Sequence, residues 1–255
     1  MTTPTPEIER RIARVLLALD AASHAPASVE SAVQLAARLQ AELLGLFIED
    51  ADLLRSAQLP FSQEVGLSTA SERHLGGGEL ERALHSFALQ TERELGEAAD
   101  RARVRWSFRT LRGRPLQSAL EQLDESSLLV LGWSRRGRWH HPEREPAYTI
   151  YILCTYSETS RHAAEVAARA VAGNHGEVVL LETAPGQAMD EARVLHARRT
   201  PGRTRTVTDP DALPEALREP PPWLLLVPAD HPLLEDRKAV ERLLNRLECP
   251  VLVVR

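Results

Sequence analysis

The sequence is poor in the residues and segments that mark several specialised classes of protein. Its 255 residues contain two cysteines, one lysine and only 4% aromatic residues. The longest apolar runs, such as Trp223–Val227 and Val251–Val254, are far shorter than the ~20 residues that a helix needs to span a bilayer. The N-terminus has no basic start followed by an apolar core, which argues against secretion. We therefore expect a cytoplasmic protein with no membrane association.

Candidate catalytic and metal-binding residues are also scarce. Cys154 and Cys249 lie in apolar, strand-like segments, which predicts buried and reduced thiols. His140 and His141 are adjacent, so on regular structure they point apart and form a poor pair of metal ligands. No Ser/His/Asp, Cys/His or paired-carboxylate arrangement has a local signature. The sequence therefore predicts no catalytic residues, no metal site and no enzymatic activity.

The charge pattern argues against a nucleic-acid-binding protein. The formal net charge is −5, and the few aromatic residues provide no stacking platform for bases. Arginines cluster at Arg101–Arg114, Arg135–Arg144 and Arg193–Arg205. We interpret these clusters as solvated surface, and the middle one remains a candidate site for an anion.

The first half of the chain alternates buried strands with amphipathic helices. Arg14–Asp20 and Leu43–Ile48 have the pattern of strands, and the segment between them has apolar residues at helical spacing. A strand, helix and strand of this length form a right-handed βαβ unit. Further along, the pattern predicts a helix over Glu79–Ala102, a strand over Val104–Leu111, a helix after Gly113-Arg114-Pro115 and a buried strand over Leu128–Leu131.

The order of elements begins again after Trp139–Pro146, a polar, proline-containing segment typical of a linker. Strands are predicted over Thr149–Thr155, Glu177–Glu182, Trp223–Val227 and Val251–Val254, and irregular edge strands over Val194–Val207. Helices are predicted with an apolar stripe from Ala163 to Val171, capped by Ser157 or Thr159, and over Asp211–Arg218 and Leu233–Leu247. We therefore expect an α/β fold with two open, mostly parallel βαβ sheets and flanking helices, Rossmann-like and in tandem. The expected domains are 1–138 and 149–255, joined by a linker at 139–148. The first domain has no evident last helix and strand, so Thr149–Thr155 and Val251–Val254 are candidates to complete a shared sheet.

Three segments resemble the universal stress protein family in a tandem two-domain arrangement. RVLLALD is an apolar strand that ends in Asp20, where the family's fold opens. GRPLQSALEQLDESSLLVLG, which runs from Gly113 to Gly132, is similar to the family's G-x-P helix and fourth strand. CPVLVV, at the C-terminal end, is similar to its last strand. The family's usual contact pairs last strands across a two-fold axis, so the resemblance implies a pseudo-dimer within one chain.

The resemblance places a candidate ligand site at the end of the fourth strand. It implies that Asp20, Gly132, Arg135, Arg136 and Gly137 would hold ATP, AMP or another anion, if a ligand binds at all. The family's ATP-binding motif is G-x2-G-x9-G followed by Ser or Thr, and Arg135 stands here where its second glycine belongs. An arginine side chain blocks the close backbone approach that a triphosphate needs, although its guanidinium can itself bind an anion.

Two hypotheses follow for the function. In the first, the protein is a non-enzymatic stress-response protein that acts through protein contacts, with weak or absent nucleotide binding. Its partner would be another protein or a second copy, bound through the C-terminal edge strand Cys249–Arg255. In the second, it is a regulatory protein that binds ATP, AMP or another anion in the strand-end cleft of its first domain.

Overall fold

The fold was analysed in a computed structural model of the chain. The structure describes residues 12–21, 26–59, 63–65, 72–74, 77–131, 149–172, 176–207, 212–217, 224–247 and 249–255. The predicted linker at 139–148 lies outside these residues.

The first half contains six strands and four helices among its described residues. The strands are β1 (Arg14–Leu19), β2 (Glu42–Asp50), β3 (Gln63–Val65), β4 (Glu72–His74), β5 (Trp106–Gly113) and β6 (Ser127–Leu131). The helices are α1 (Pro26–Leu39), α2 (Ala51–Ala57), α3 (Gly77–Arg101) and α4 (Pro115–Glu121). The predicted order of strands and helices is therefore confirmed in this half.

The second half follows the same order. Its strands are β7 (Thr149–Leu153), β8 (Glu177–Glu182), β9 (Gly202–Thr206), β10 (Leu224–Pro228) and β11 (Val251–Val254). Its helices are α5 (Glu158–Val171), α6 (Met189–Ala197), α7 (Leu213–Ala216) and α8 (Arg237–Arg246), with a 3-10 helix at Pro232–Glu235. The prediction of irregular edge strands over Val194–Val207 was wrong for its first part, because α6 continues to Ala197 and only Gly202–Thr206 forms a strand.

One nine-stranded sheet runs through both halves, in the order β5-β2-β1-β6-β11-β10-β7-β8-β9. Within each half the neighbouring strands are parallel, and the antiparallel pair of β6 and β11 joins the halves. Strands β3 and β4 form a separate antiparallel pair. The α/β fold class with mostly parallel strands and flanking helices is confirmed, and the two expected sheets are continuous with each other.

The position of β11 corrects the prediction that the C-terminal strand is a free edge. Val251–Val254 pairs in parallel with β10 on one side, and in antiparallel fashion with Leu128–Leu131 of β6 on the other. Both rows of its backbone hydrogen-bonding groups are thus occupied, so this strand offers no edge to a second copy of the chain. It also completes the sheet of the first half, for which the sequence indicated no last strand.

Helices cover both faces of the sheet with apolar side chains. On one face, α1, α3, α5 and α6 bury residues such as Val33, Leu95 and Val166 against the strands. On the other face, α4, α7 and α8 bury Leu116, Leu213 and Leu243. Because all central strands are covered twice, they are apolar runs rather than alternating ones, as expected for buried parallel strands.

Local sequence signals account for several of the element ends. Arg114 has extended backbone as the N-cap of α4, and Pro115 stands at the start of this helix, where its missing N–H and fixed φ cost nothing. The end of β5 approaches α4 so closely that a Cβ on Gly113 would collide with the Ser118 hydroxyl. The G-x-P segment singled out in the sequence therefore makes the tight strand-to-helix turn that it predicts.

We expect a substitution in β11 to destabilise both halves together. Leu252 is 1% exposed and lies in the strand that both halves share, so Leu252→Ala should lower the free energy of unfolding by about 2–5 kcal/mol. Calorimetry should show one cooperative transition for the wild type and one for the variant. Thr204→Ala on the exposed edge strand β9 is the control, with a change within about 0.5 kcal/mol. Two separate transitions, of which Leu252→Ala moves only one, would contradict the shared role of β11.

Candidate functional site

The carboxyl ends of β1, β2, β5 and β6 lie along one edge of the sheet, which we call the first edge. Ligands of open α/β sheets bind outside the carboxyl ends of the strands, where the strand order reverses. In the first half this reversal falls between β1 and β6. Asp20 follows β1 directly at this point, and only 9% of it is exposed. The structure thus places Asp20 where the sequence analysis expected a ligand-binding acid.

The other four predicted ligand-binding residues, Gly132, Arg135, Arg136 and Gly137, lie outside the described residues. Gly132 comes immediately after Leu131, the last residue of β6. The buried strand predicted before the loop is confirmed, since all five residues of Ser127–Leu131 are buried.

The described arginines of the first edge are paired with carboxylates. Arg112 Nη2 lies 3.0 Å from Glu49 Oε2 and 3.4 Å from Glu81 Oε1. Arg114 Nε lies 3.5 Å from Asp52 Oδ2, and Arg55 also pairs with Asp52. These contacts join the end of the outer strand β5 to β2 and α2, and they place carboxylates beside the cations of this edge.

The N-terminus of α2 at the first edge is occupied by a carboxylate of the chain itself. Asp50 is the N-cap, and its Oδ1 accepts hydrogen bonds from the backbone N–H groups of Asp52 (2.8 Å) and Leu53 (3.4 Å). A helix N-terminus favours negative charge, and here the Asp50 side chain provides it.

The carboxyl ends of β7, β8 and β10 form a second edge on the opposite side of the sheet, because β11 runs antiparallel to β6. At this edge a hydrogen-bond network joins α5 to α6. Ser160 Oγ accepts from the backbone N–H of Thr155 (3.0 Å) and donates to Glu191 Oε1. Ser157 Oγ accepts from the Ser160 N–H (3.1 Å) and caps α5. Sequence analysis predicted a cap at Ser157 or Thr159, and the structure selects Ser157.

Glu191 is a buried carboxyl group with little to stabilise a charge. The residue is 1% exposed, and its Oε2 atom has no hydrogen-bond partner among the described residues. Burial raises the pKa of Glu191, and the Ser160 hydrogen bond opposes that shift only in part. The raised pKa means that this buried position disfavours the charged form of Glu191.

A second carboxylate, Glu182, ties the end of β8 to its neighbours. It accepts hydrogen bonds from the Thr206 hydroxyl (3.1 Å) in β9 and from the Ala188 backbone N–H (3.2 Å) before α6. Burial, together with the nearby carboxyl groups of Glu191 and Glu182, raises the pKa of the Cys154 thiol. Both Cys154 and Cys249 are buried free thiols, as predicted, and Cys154 is held in its unreactive protonated form.

Sequence analysis missed the roles of Glu182 and Glu191. Glu182 was predicted only as the last residue of a strand, and Glu191 preceded a segment expected to be irregular. An available signal was the pair Asp190-Glu191 at the start of a helix, where acidic residues are favoured. The contact with Ser160 spans 31 residues, which no local pattern reveals.

His231 caps the 3-10 helix that follows β10. Its Nδ1 accepts a hydrogen bond from the Leu233 backbone N–H at 3.1 Å. Burial lowers the pKa of His231, although Asp230 acts in the opposite direction. The neutral ring suits this acceptor role, so His231 is a structural residue of the strand-end loop.

A groove of about 660 Å³ lies between α4 of the first half and the 3-10 helix of the second. It extends past the end of β10 to Thr159 on α5 and to Arg255 after β11. Its volume is within the range of small-molecule sites, about 300–1,000 Å³. We call this cavity the seam groove, because both halves contribute to its walls.

Metal-binding clusters and membrane-spanning helices are both absent from the described part of the chain. No three or more His, Cys, Asp and Glu side chains there are grouped as a metal ion would require. No helix in the same residues combines the length and the apolar character needed to cross a bilayer.

Comparison with known proteins identifies the fold. No protein-family model and no curated protein matches the sequence. Among solved structures, a universal stress protein from Archaeoglobus fulgidus is similar over 94% of this chain and 96% of its own, with a TM-score of 0.59 and 11% identity. A protein of the universal stress protein family from Burkholderia pseudomallei aligns with 76% of this chain and over 96% of its own length, with 15% sequence identity and a TM-score of 0.30. The chain therefore has the α/β fold seen in a universal stress protein, and at this identity the likeness establishes the fold alone.

The buried acid at the second edge predicts a pH-dependent stability. The pKa of Glu191 is higher in the folded state than in the unfolded state, so the folded state binds more protons at a pH between these two pKa values. The free energy of unfolding therefore falls as the pH rises from the unfolded pKa through the folded pKa. Glu191→Gln keeps an oxygen that accepts from Ser160 but cannot ionise. Its stability relative to the wild type should therefore increase as pH rises from about 5 to 8, measured by urea unfolding at each pH.

The control for this prediction is Glu158→Gln, which removes an exposed carboxylate from the neighbouring helix α5. Its side chain is 75% exposed and pairs with Arg161, so its pH profile should stay close to that of the wild type. If the Glu191→Gln and wild-type profiles are parallel, Glu191 ionises equally in the folded and unfolded states, which contradicts the prediction.

Proposed function

We propose that this protein is a universal-stress-type protein that acts in the stress response through contacts with other proteins, without catalysing a reaction. The sequence resemblance over Arg14–Asp20, Gly113–Gly132 and Cys249–Val254 supports this assignment, as does the similarity in fold to a universal stress protein. We further propose that it works in the cytoplasm, with nucleotide binding weak or absent.

The observation that carries the proposal is the internal pairing of charge at the first edge. Arg112 and Arg114 are bound by carboxylates of neighbouring elements, and Asp50 fills the N-terminus of α2. A triphosphate at this edge would have to compete with these carboxylates for the same cations and N–H groups. It would also meet the negative charge of Asp20. These features favour a scaffold role over a nucleotide site.

We also propose a tandem organisation, with units at 1–138 and 149–255 and a linker at 139–148. The repeated strand order supports it. When the strands of the main sheet are numbered within each half, the order from the outer strand inward is 3-2-1-4 in the first half and 3-2-1-4-5 in the second, where β11 is the fifth strand. The similarity to the Archaeoglobus fulgidus protein extends over nearly the whole of both chains, so it includes both halves.

The second candidate function is binding of ATP, AMP or another anion at the first edge. It is favoured by the location of Asp20, which is buried beside the reversal of strand order between β1 and β6. In this candidate, Asp20 would accept a hydrogen bond from a ribose or base, with Gly132, Arg135, Arg136 and Gly137 completing the site.

Thermal denaturation with millimolar nucleotide separates the two candidates. We expect ATP and AMP, with and without Mg²⁺, to leave the midpoint unchanged. A ligand at 100 times its Kd would add about 2.7 kcal/mol, or roughly 5–10 °C in a chain of this size. A shift of that size that Asp20→Ala abolishes would establish the nucleotide site and displace the first candidate. ATP turnover that Asp20→Ala abolishes would likewise overturn the non-enzymatic assignment.

The stress role is tested by complementation of a deletion strain of the source organism. We expect the deletion to reduce survival during starvation or oxidative stress, and both the wild type and Asp20→Ala to restore it. A stable, well-expressed Asp20→Ala protein that fails to restore survival would show that the edge chemistry is needed. Normal survival of the deletion strain under each stress would contradict the stress role.

A further inference from the structure

The seam groove adjoins the second edge at the carboxyl end of β10, and its lining also includes Arg114, which pairs with Asp52 at the first edge. One wall is the exposed side of α4, with Leu120 and Gln117, and the other is formed by Ala229 and the 3-10 helix at Pro232–Glu235. The groove therefore exists only where the two halves meet, and it depends on neither Asp20 nor the nucleotide candidate.

The floor of the groove is aliphatic. Leu116, Leu123 and Leu234 line it with buried side chains, and Leu120 and Ala229 line it with partly exposed ones. No aromatic ring takes part in this lining. Such a surface matches the side chain of a branched aliphatic compound better than a flat heterocycle, because the stacking partners of a base are missing.

The rim of the groove has charges of both signs. Arg255 Nη1 donates to the Leu123 carbonyl at 3.1 Å, which fixes the guanidinium at the rim while its remaining N–H groups can serve a ligand. Asp230 and Glu235 are exposed carboxylates that line the same groove. Within the described residues, neither of them forms an ion pair with Arg255 or with another cation.

Opposite charges that line one cavity without pairing with each other are complementary to a ligand with both charges. A carboxylate on the ligand would accept hydrogen bonds from the Arg255 guanidinium, and an ammonium group would lie beside the carboxylates of Asp230 and Glu235. An aliphatic body between the two would cover the leucines of the floor. A purely anionic or purely cationic ligand would satisfy one side of the rim and be repelled by the other.

From this arrangement we infer that the seam groove binds a small zwitterion with an aliphatic body, of the class of short peptides with branched side chains. Arg255 binds the carboxylate of the ligand, Asp230 and Glu235 bind its ammonium group, and Leu120 and Leu234 contact its side chains. This site is independent of the stress role and of nucleotide binding.

The test uses the dipeptide Leu-Leu and two capped forms of it with the full-length protein. N-acetyl-Leu-Leu lacks the ammonium group, and Leu-Leu amide lacks the carboxylate. We expect Leu-Leu to bind, as measured by calorimetry or ligand-observed NMR, and each capped form to bind at least tenfold more weakly. Equal binding of all three peptides would overturn the proposal. So would the absence of Leu-Leu binding at concentrations up to about 10 mM, which corresponds to a binding free energy of only about −3 kcal/mol.

Variants of the charged groove residues test which protein side chain binds each end of the ligand. Arg255→Gln should weaken Leu-Leu at least tenfold but leave the already weak Leu-Leu amide unchanged. The double variant Asp230→Asn/Glu235→Gln should weaken Leu-Leu and leave N-acetyl-Leu-Leu unchanged. The controls are Arg101→Gln and Glu97→Gln, which change exposed charges on α3, away from the groove, and should leave binding as in the wild type. Binding of Leu-Leu that survives all three groove substitutions would place it elsewhere and contradict this assignment.

Discussion

The antiparallel pairing of β11 with β6 is the constraint on which the rest of the structure depends. The C-terminal strand β11 completes the sheets of both halves, since Val251–Val254 is hydrogen-bonded to β10 on one side and to β6 on the other. The nine strands thereby form a single sheet with β5 and β9 as its outer strands. Arg109 in β5 and Arg203 in β9 place charge on these outer strands, as protected sheet edges commonly do.

The same pairing separates the two candidate edges. Because the strand direction reverses at β6 and β11, the carboxyl ends of the two halves face opposite sides of the molecule. Each edge then satisfies its own charges by different means. The first pairs carboxylates with Arg112 and Arg114, whereas the second buries Glu191, whose pKa is raised by burial and which accepts a hydrogen bond from Ser160. Both edges keep the geometry of a ligand crevice, but their described polar groups serve mainly to hold neighbouring elements together.

Local patterns in the sequence were sufficient for most of the elements but not for their long-range relations. The buried strands, the Gly113-Arg114-Pro115 turn and the Ser157 cap follow from hydrophobic periodicity and capping chemistry. Helix α6 was missed because its apolar positions are few and its segment is rich in charge. The sequence left two strands, Thr149–Thr155 and Val251–Val254, as candidates to complete the sheet of the first half, and it could not select between them, since an apolar strand has the same pattern whether one or both of its edges are paired. Of the candidate site, only Asp20 can be placed.

The seam groove lies between elements on one face of the sheet. Helix α4 packs over β1, β2 and β5, while the 3-10 helix follows β10 on the same face. The central strands β6 and β11 are themselves fully covered, since all residues of Ser127–Leu131 and Val251–Val254 are buried. No residue of these two strands lines the groove, and its leucines belong to α4, to the segment after α4 and to the 3-10 helix. The groove is therefore a gap between neighbouring elements outside a closed core. Its charged rim, Asp230, Glu235 and Arg255, comes from the second half, whereas the first half contributes the leucines of α4, so the groove needs both halves for its combination of charged and aliphatic surface.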